Sequence, residues 1–270
     1  MAAARWHDAL SVLDSGAPWF EPWRTDGARV VARVQGGAAL HDALNDGGLA
    51  PVRFTPASAL PPGVPYERHV FEARSSPVRE GLHDFFNGLA WRAWPLAKAR
   101  LNAVHAGHIA AHGTGAARGP VRDAATLFDE NGAILHAPAV LWEALEARDW
   151  RRLFMELRPV WKEARLTIVG HALLEKLVRP RKNLTAHVWA APAPAGGANR
   201  ADPWLASQLT PERLAVKPFM PLPVMGVPGW APQNADFSFY DDARVFRPAR
   251  QQESRPSGPT TTSPPVHPPA

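Results

Sequence analysis

The chain is predicted to fold as α+β, mostly helical, in a single domain with a short β-hairpin or small sheet and a long proline-rich irregular C-terminal segment. Three observations predict it. Apolar residues recur with helical spacing in most segments before residue 180. Only a few short runs alternate as strands do. The stretch PFMPLPVMGVPGWAPQNA (218–235) holds five prolines and no sustained period.

Taken in order, RWHDALSVL (5–13) reads as a helix and AALHDALND (38–46) as a short one stopped by Gly47-Gly48. YERHVF (66–71) alternates and is expected to be a strand. Ser76-Pro77 has the form of a helix start, serine as cap and proline in the first turn, giving a helix to about Trp94. Pro95 then opens a second helix to about His112. AATLFDENGAIL (124–135) reads as a β-hairpin, two apolar runs around Asp-Glu-Asn-Gly. Helices are expected at 139–147 and at 150–164, the second capped by Asp149. LTIVG (166–170) and NLTAHVWA (183–190) read as strands around the helix HALLEKLV (171–178). The segment 218–235 should lie extended on the core through Phe219, Met220, Leu222, Val224 and Trp230.

The expected domain runs from about 5 to 250, with 191–203 as a surface loop. The tail 251–270, rich in Pro, Ser and Thr, has too little apolar content to offset the entropy of ordering. The whole chain's 270 residues, 46% hydrophobic, suffice for a proper core. With no cysteine, disulfides and thiolate metal sites are excluded. A net charge of +5 and pI near 10.1 invite a nucleic-acid reading. The arginines are scattered along the chain, not clustered in a stripe, so nucleic acid is not favoured. No secretory signal is visible, and its five prolines disqualify the uncharged run 218–235 as a membrane span. A soluble, cytoplasmic protein is expected.

The chemistry-bearing residues concentrate between 83 and 112. At about 100° per residue, Leu82, Phe85, Phe86, Leu89 and Ala93 share one face and should be core. Glu80, His83, Asp84 and Asn87 share the other, which continues into Trp91 and Trp94. A freely solvated face would not end in two tryptophans, so this row is expected to be half-covered. On the next helix Ala99, Ala103, Ala106 and Ala110 form a small-residue face. Lys98, Asn102, His105 and His112 make a polar stripe edged by Trp94, Leu101 and Ile109. Two such rows have the composition of a cleft wall. The competing reading is structural: asparagines fixing the register of two helices, Asp84 paired with an arginine, and His108 and His112 serving the helix end.

His171 and Glu175 stand four apart, a spacing at which two side chains can share one metal ion; a surface ion pair is the plainer alternative. His187 is expected mid-strand as a hydrogen-bonded, half-buried residue. Asp129 and Glu130 precede Asn-Gly and are assigned to a turn. Arg122 is a candidate anion anchor beside Asp123, a local salt bridge being the alternative. There is no Gly-x-Gly-x-x-Gly, no phosphate loop, no Gly-x-Ser-x-Gly elbow and no His-Glu-x-x-His. Dinucleotide oxidoreductases, P-loop nucleotidases and ordinary serine hydrolases are therefore disfavoured.

Four separated motifs, LHDFFNGLAWRAWPLAKARLN (82–102), RDAATLFDENG (122–132), GHALLEKLVRP (170–180) and PLPVMGVPGW with FYDDARVFRP (221–230, 239–248), together resemble the bacterial family DUF3025. The resemblance spans nearly all of 5–250 and implies a proteobacterial single-domain protein. It carries no activity, cofactor or catalytic residue. His108 and His112 fall outside these motifs and are set aside.

The favoured reading is an enzyme acting on a small molecule by metal-assisted or general acid–base hydrolysis. Its cleft would be built from 83–105, 122–130 and 171–187. His83, Asp84, Asn87, Lys98 and Arg122 are the catalytic candidates; His171 and Glu175 are the candidate ligands of a divalent metal ion. The opposing reading is a non-catalytic binding or assembly protein whose polar rows only specify packing.

Overall fold

The computed structural model describes residues 2–248 apart from 12, 49, 114–118 and 193–200. The tail 251–270 and most of the 191–203 loop lie outside the described residues. Eleven α-helices and six strands are described: α1 (Ala2–Ser11), α2 (Arg24–Gln35), α3 (Leu40–Asn45), β1 (Arg53–Pro56), α4 (Tyr66–Ala73), β2 (Ser75–Val78), α5 (Leu82–Ala93) and α6 (Pro95–His112) form the first half. Then come α7 (Pro120–Asn131), β3 (Gly132–His136), α8 (Ala139–Glu146), β4 (Arg165–Ile168), α9 (His171–Lys176), β5 (Thr185–Ala190), α10 (Ala201–Gln208), α11 (Pro211–Ala215) and β6 (Met220–Pro223). The fold is α+β and mostly helical, as expected.

The strands form two small sheets. β1 and β2 pair in parallel; the other sheet runs β4-β3-β5-β6, with β3 parallel to β5 and the other pairs antiparallel. All five residues of β3 are buried, which fits a central strand of continuous apolar character. Phe128 and Phe219 pack with Trp189 against this sheet at centroid separations of 5.6–6.0 Å. Among the described residues, no helix is long and apolar enough to cross a membrane.

Several local expectations are corrected. YERHVF is the helix α4, where only Val70 is fully buried; its polar residues follow a helical stripe. Ser76-Pro77 does not start a helix. It pairs with Phe54 and Thr55 in the β1–β2 ribbon, and α5 begins at Leu82 instead. The 124–135 segment is not a hairpin. Val121, Ala124, Ala125 and Phe128 already follow helical spacing, Pro120 sits in the first turn, and Asn131-Gly132 ends the helix and starts β3. The stretch 150–164 is a π-turn (Arg152–Glu156) and a 3₁₀ segment (Arg158–Glu163), since Pro159 interrupts a regular helix.

The core face of α5 is formed by Phe85, Phe86 and Leu89, each at most 2% exposed, whereas Leu82 is partly covered and Ala93 is exposed. Phe86 stacks on Phe20 at 5.7 Å and meets Phe85 edge-on at 5.0 Å. The opposite face is covered too: Asp84, Asn87, Trp91 and Trp94 are all under 9% exposed. The helix is enclosed on both sides. On α6, Lys98, Asn102 and His105 are buried, and His112 is exposed at the helix end.

Candidate active site

A cleft of about 410 Å³ opens where α4, α5, α6, α7 and the start of α9 meet. His83, Asp84 and Asn87 come to its wall from α5, and Lys98, Asn102 and His105 from α6. Asp129 and Glu130 come from the last turn of α7 and His171 from the first residue of α9, while Tyr66, Glu67 and Arg79 close the remaining side. Leu60, Trp91 and Leu101 supply apolar surface.

The centre is a pair of imidazoles. His83 and His171 meet edge to face at 4.7 Å, with their Nε2 atoms 3.3 Å apart. The outer nitrogens are both held: His83 Nδ1 lies 3.0 Å from Glu175 Oε2, and His171 Nδ1 lies 2.8 Å from the Asp129 carbonyl oxygen. A carbonyl oxygen only accepts, so His171 carries its proton on Nδ1 and turns the Nε2 lone pair toward His83. Were His83 neutral with its proton toward Glu175, two lone pairs would face each other at 3.3 Å. An imidazolium at position 83 removes the conflict by donating to both neighbours. The electrostatics agree. The hydrogen bond to Glu175 raises the His83 pKa above its ordinary value against a partly desolvated setting. Burial pushes His171 down to about 4, with Lys98 and His83 adding to the fall, so it stays neutral.

Lys98 supplies a buried cation. Its Nζ donates to Asn87 Oδ1 at 2.9 Å and to Asp129 Oδ1 at 2.6 Å, and it lies 5.5 Å from the Trp91 ring centroid. Burial alone would raise the Asp129 carboxyl, but the Lys98 charge and the hydrogen bond that Lys98 donates outweigh it and hold the group below the usual carboxylate range. Asn87 passes the chain on, donating to the Tyr66 hydroxyl at 3.3 Å, which in turn meets Ser76 Oγ at 2.8 Å. Desolvation drives Tyr66 up to about 12, helped by the Asp84 and Asp129 charges, so it remains a neutral phenol.

The local fold delivers these groups by close backbone approach. The Val169 and Gly170 amides donate to the Gly132 carbonyl at 2.9 and 2.8 Å, fixing the end of β4 against the α7–β3 junction. A β-carbon at Gly170 would overlap the Glu130 and Asn131 backbone. Only glycine lets α9 start close enough for His171 to reach the Asp129 carbonyl.

Not every candidate from the sequence converges here. Asp84 lines the cleft but pairs with Arg79, accepting from its backbone N at 2.6 Å and its Nε at 3.1 Å. Arg122, in the first turn of α7, does not line the cleft; its charge only helps burial keep His105 deprotonated. Glu175 does not turn alongside His171 but backs His83 from outside the cleft lining. Among the described residues, no three His, Asp or Glu side chains are grouped so as to hold a metal ion. His187 lies on β5 against Phe219 at 5.8 Å, away from the cleft. Asn102 donates to the Glu67 backbone carbonyl at 2.8 Å rather than to Asn87. Asp129 and Glu130, assigned to a turn, stand in the wall instead. The signal that could have found them is the helical spacing of Val121, Ala124, Ala125 and Phe128.

The chain belongs to the DUF3025 family of proteins of unknown function, whose model matches residues 52–250. No curated protein and no solved structure matches it. Helices α1 to α3 precede the matched segment.

Proposed function

We propose that the protein is an enzyme that hydrolyses a small polar molecule by general acid–base catalysis in this cleft. The observation that carries the reading is the 3.3 Å approach of the His83 and His171 Nε2 atoms with both outer nitrogens tied down. Once His83 is neutral, a water seated beside the two Nε2 atoms can donate to their lone pairs. His83 Nε2 takes the water proton as the water oxygen bonds to the substrate's electrophilic centre, and Glu175 stabilises the imidazolium so formed. The same proton then passes to the leaving group as its bond breaks. Lys98, with two of its three N–H donors engaged, offers the third to the developing anion. Asn87 and Asp129 hold that ammonium in place.

The acid–base form is favoured over the metal-assisted one because Glu175 backs the outer nitrogen of His83 and Asp84 is occupied by Arg79. The binding-protein alternative draws on the chain Lys98–Asn87–Tyr66–Ser76, whose hydrogen bonds already link four elements without a ligand. A panel of chromogenic esters, amides and phosphoesters separates the two. Turnover that falls by about 10²–10⁴-fold in His83→Asn and Glu175→Gln, with the melting temperature retained, is the expected result. No turnover in any class, or equal turnover in the variants, leaves the binding reading.

A further inference from the structure

Every cationic side chain in the cleft wall already has an anionic partner. Lys98 is on Asp129 at 2.6 Å, Arg79 on Asp84 at 3.1 Å, and His83 on Glu175 at 3.0 Å. Two carboxylates in the same wall, Glu67 and Glu130, have no ion-pair or side-chain hydrogen-bond partner among the described residues. The unbalanced charge of the cleft is therefore negative, although the chain as a whole is basic. A second feature points the same way. His105 is only 6% exposed, and its buried Nδ1 has no hydrogen-bond partner among the described residues. A buried polar group without a partner is costly, and a ligand that donates to it recovers that cost. Burial first, with Arg122 and Lys98 in the same direction, keeps the ring neutral against the opposing pull of Asp129 and Glu67. A neutral imidazole keeps one nitrogen lone pair, which accepts from an N–H donor.

We infer that the substrate of this cleft carries a cationic amine, an alkylammonium group held by Glu67 and the His105 ring, with its alkyl part against Leu60, Leu101 and Trp91. This rests on the cleft being the substrate site of the proposed enzyme. An anionic ligand is disfavoured because it would face two free carboxylates and find no unpaired cation in the wall. A neutral alcohol would satisfy His105 but gain nothing from Glu67.

The test uses three probes of one size on the full chain, n-butylamine, n-butanol and butyrate, titrated by NMR at pH 7 and low salt. Butylamine is expected to bind at least about tenfold more tightly than butanol, with butyrate weakest, and added salt should reduce the preference. Glu67→Gln should remove most of the amine preference without moving the melting temperature. Butyrate binding as tightly as butylamine, or an amine affinity unchanged in Glu67→Gln, overturns the inference. Should the variant not fold, the ranking of the three probes on the unaltered chain decides alone. Binding is read without turnover, so amine selectivity in a protein that hydrolyses nothing overturns the hydrolase reading and leaves the cleft as a site that binds a cationic amine.

Discussion

Arg92 and Asp26 form a bidentate ion pair across 66 residues, with the arginine side chain only 1% exposed. The same guanidinium donates to the carbonyls of Leu44 and Asp46, so α2 and the end of α3 are fastened to α5 through one side chain. Asp26, Leu44 and Asp46 all precede the family-matched segment 52–250. The segment before residue 52 thus completes the hydrogen bonding of a residue inside it.

Asp26→Ala should accordingly cost about 3–5 kcal/mol, because a buried guanidinium loses its counter-charge while remaining out of water. Urea denaturation of the variant measures this. A loss under about 1 kcal/mol would mean that the two backbone carbonyls suffice.

Phe86→Ala should cost about 3–5 kcal/mol. The ring is 1% exposed and packs on both Phe20 and Phe85, so its removal opens a void that two neighbouring rings cannot readily fill. A small loss would show that Phe20 collapses into the space.

Lys98→Ala should be destabilising by about 3–5 kcal/mol, since it leaves the Asp129 carboxylate without its closest cation. Adding Asp129→Ala should recover part of the loss, a coupling that a double-mutant cycle reads directly. Because Asp129 is held below its ordinary pKa of 3.8, its contribution is present above that pH and is lost as pH falls through the lower folded value. Strictly additive single effects would argue against the pair.

The two histidines should give opposite pH dependences. His83 titrates above 6.5 in the folded chain, so its stabilisation is complete below 6.5 and disappears as pH rises through the folded value. His171 titrates near 4, so the unfolded chain takes up a proton that the folded one refuses, and stability drops as pH falls from 6.5 toward 4. Glu175→Gln should flatten the alkaline limb and His171→Gln the acid limb of the urea midpoint against pH. An NMR titration in which His171 protonates near 6.5 would refute the assignment.

The parts of the fold that could be read from the chain were those marked by proline or sustained period. Pro95 and Gly113 bracket α6, and Phe85, Phe86 and Leu89 fall on one face by spacing alone. YERHVF failed because six residues of alternation are too few to exclude a short helix, and Ser76-Pro77 failed because tertiary pairing with β1 outweighed a local start signal. Of the site, the α5 and α6 rows were legible, since large apolar groups continued them. The partner of His83 was not. Spacing put Glu175 beside His171, but which neighbouring helix it would meet depends on how α9 docks, and that is a long-range property. Asp129 and Glu130 were hidden by a turn motif that ends a helix instead of joining two strands.

A saturation mutational scan of this protein would assign its sharpest intolerance partly to a position with no functional group at all. At Gly170 even alanine must displace the backbone of Glu130 and Asn131. Such a change carries His171 away from its carbonyl acceptor and loosens Asp129 at the same stroke. Read without coordinates, that profile would look like the loss of a reacting side chain, when what is lost is the spacing between two chain segments.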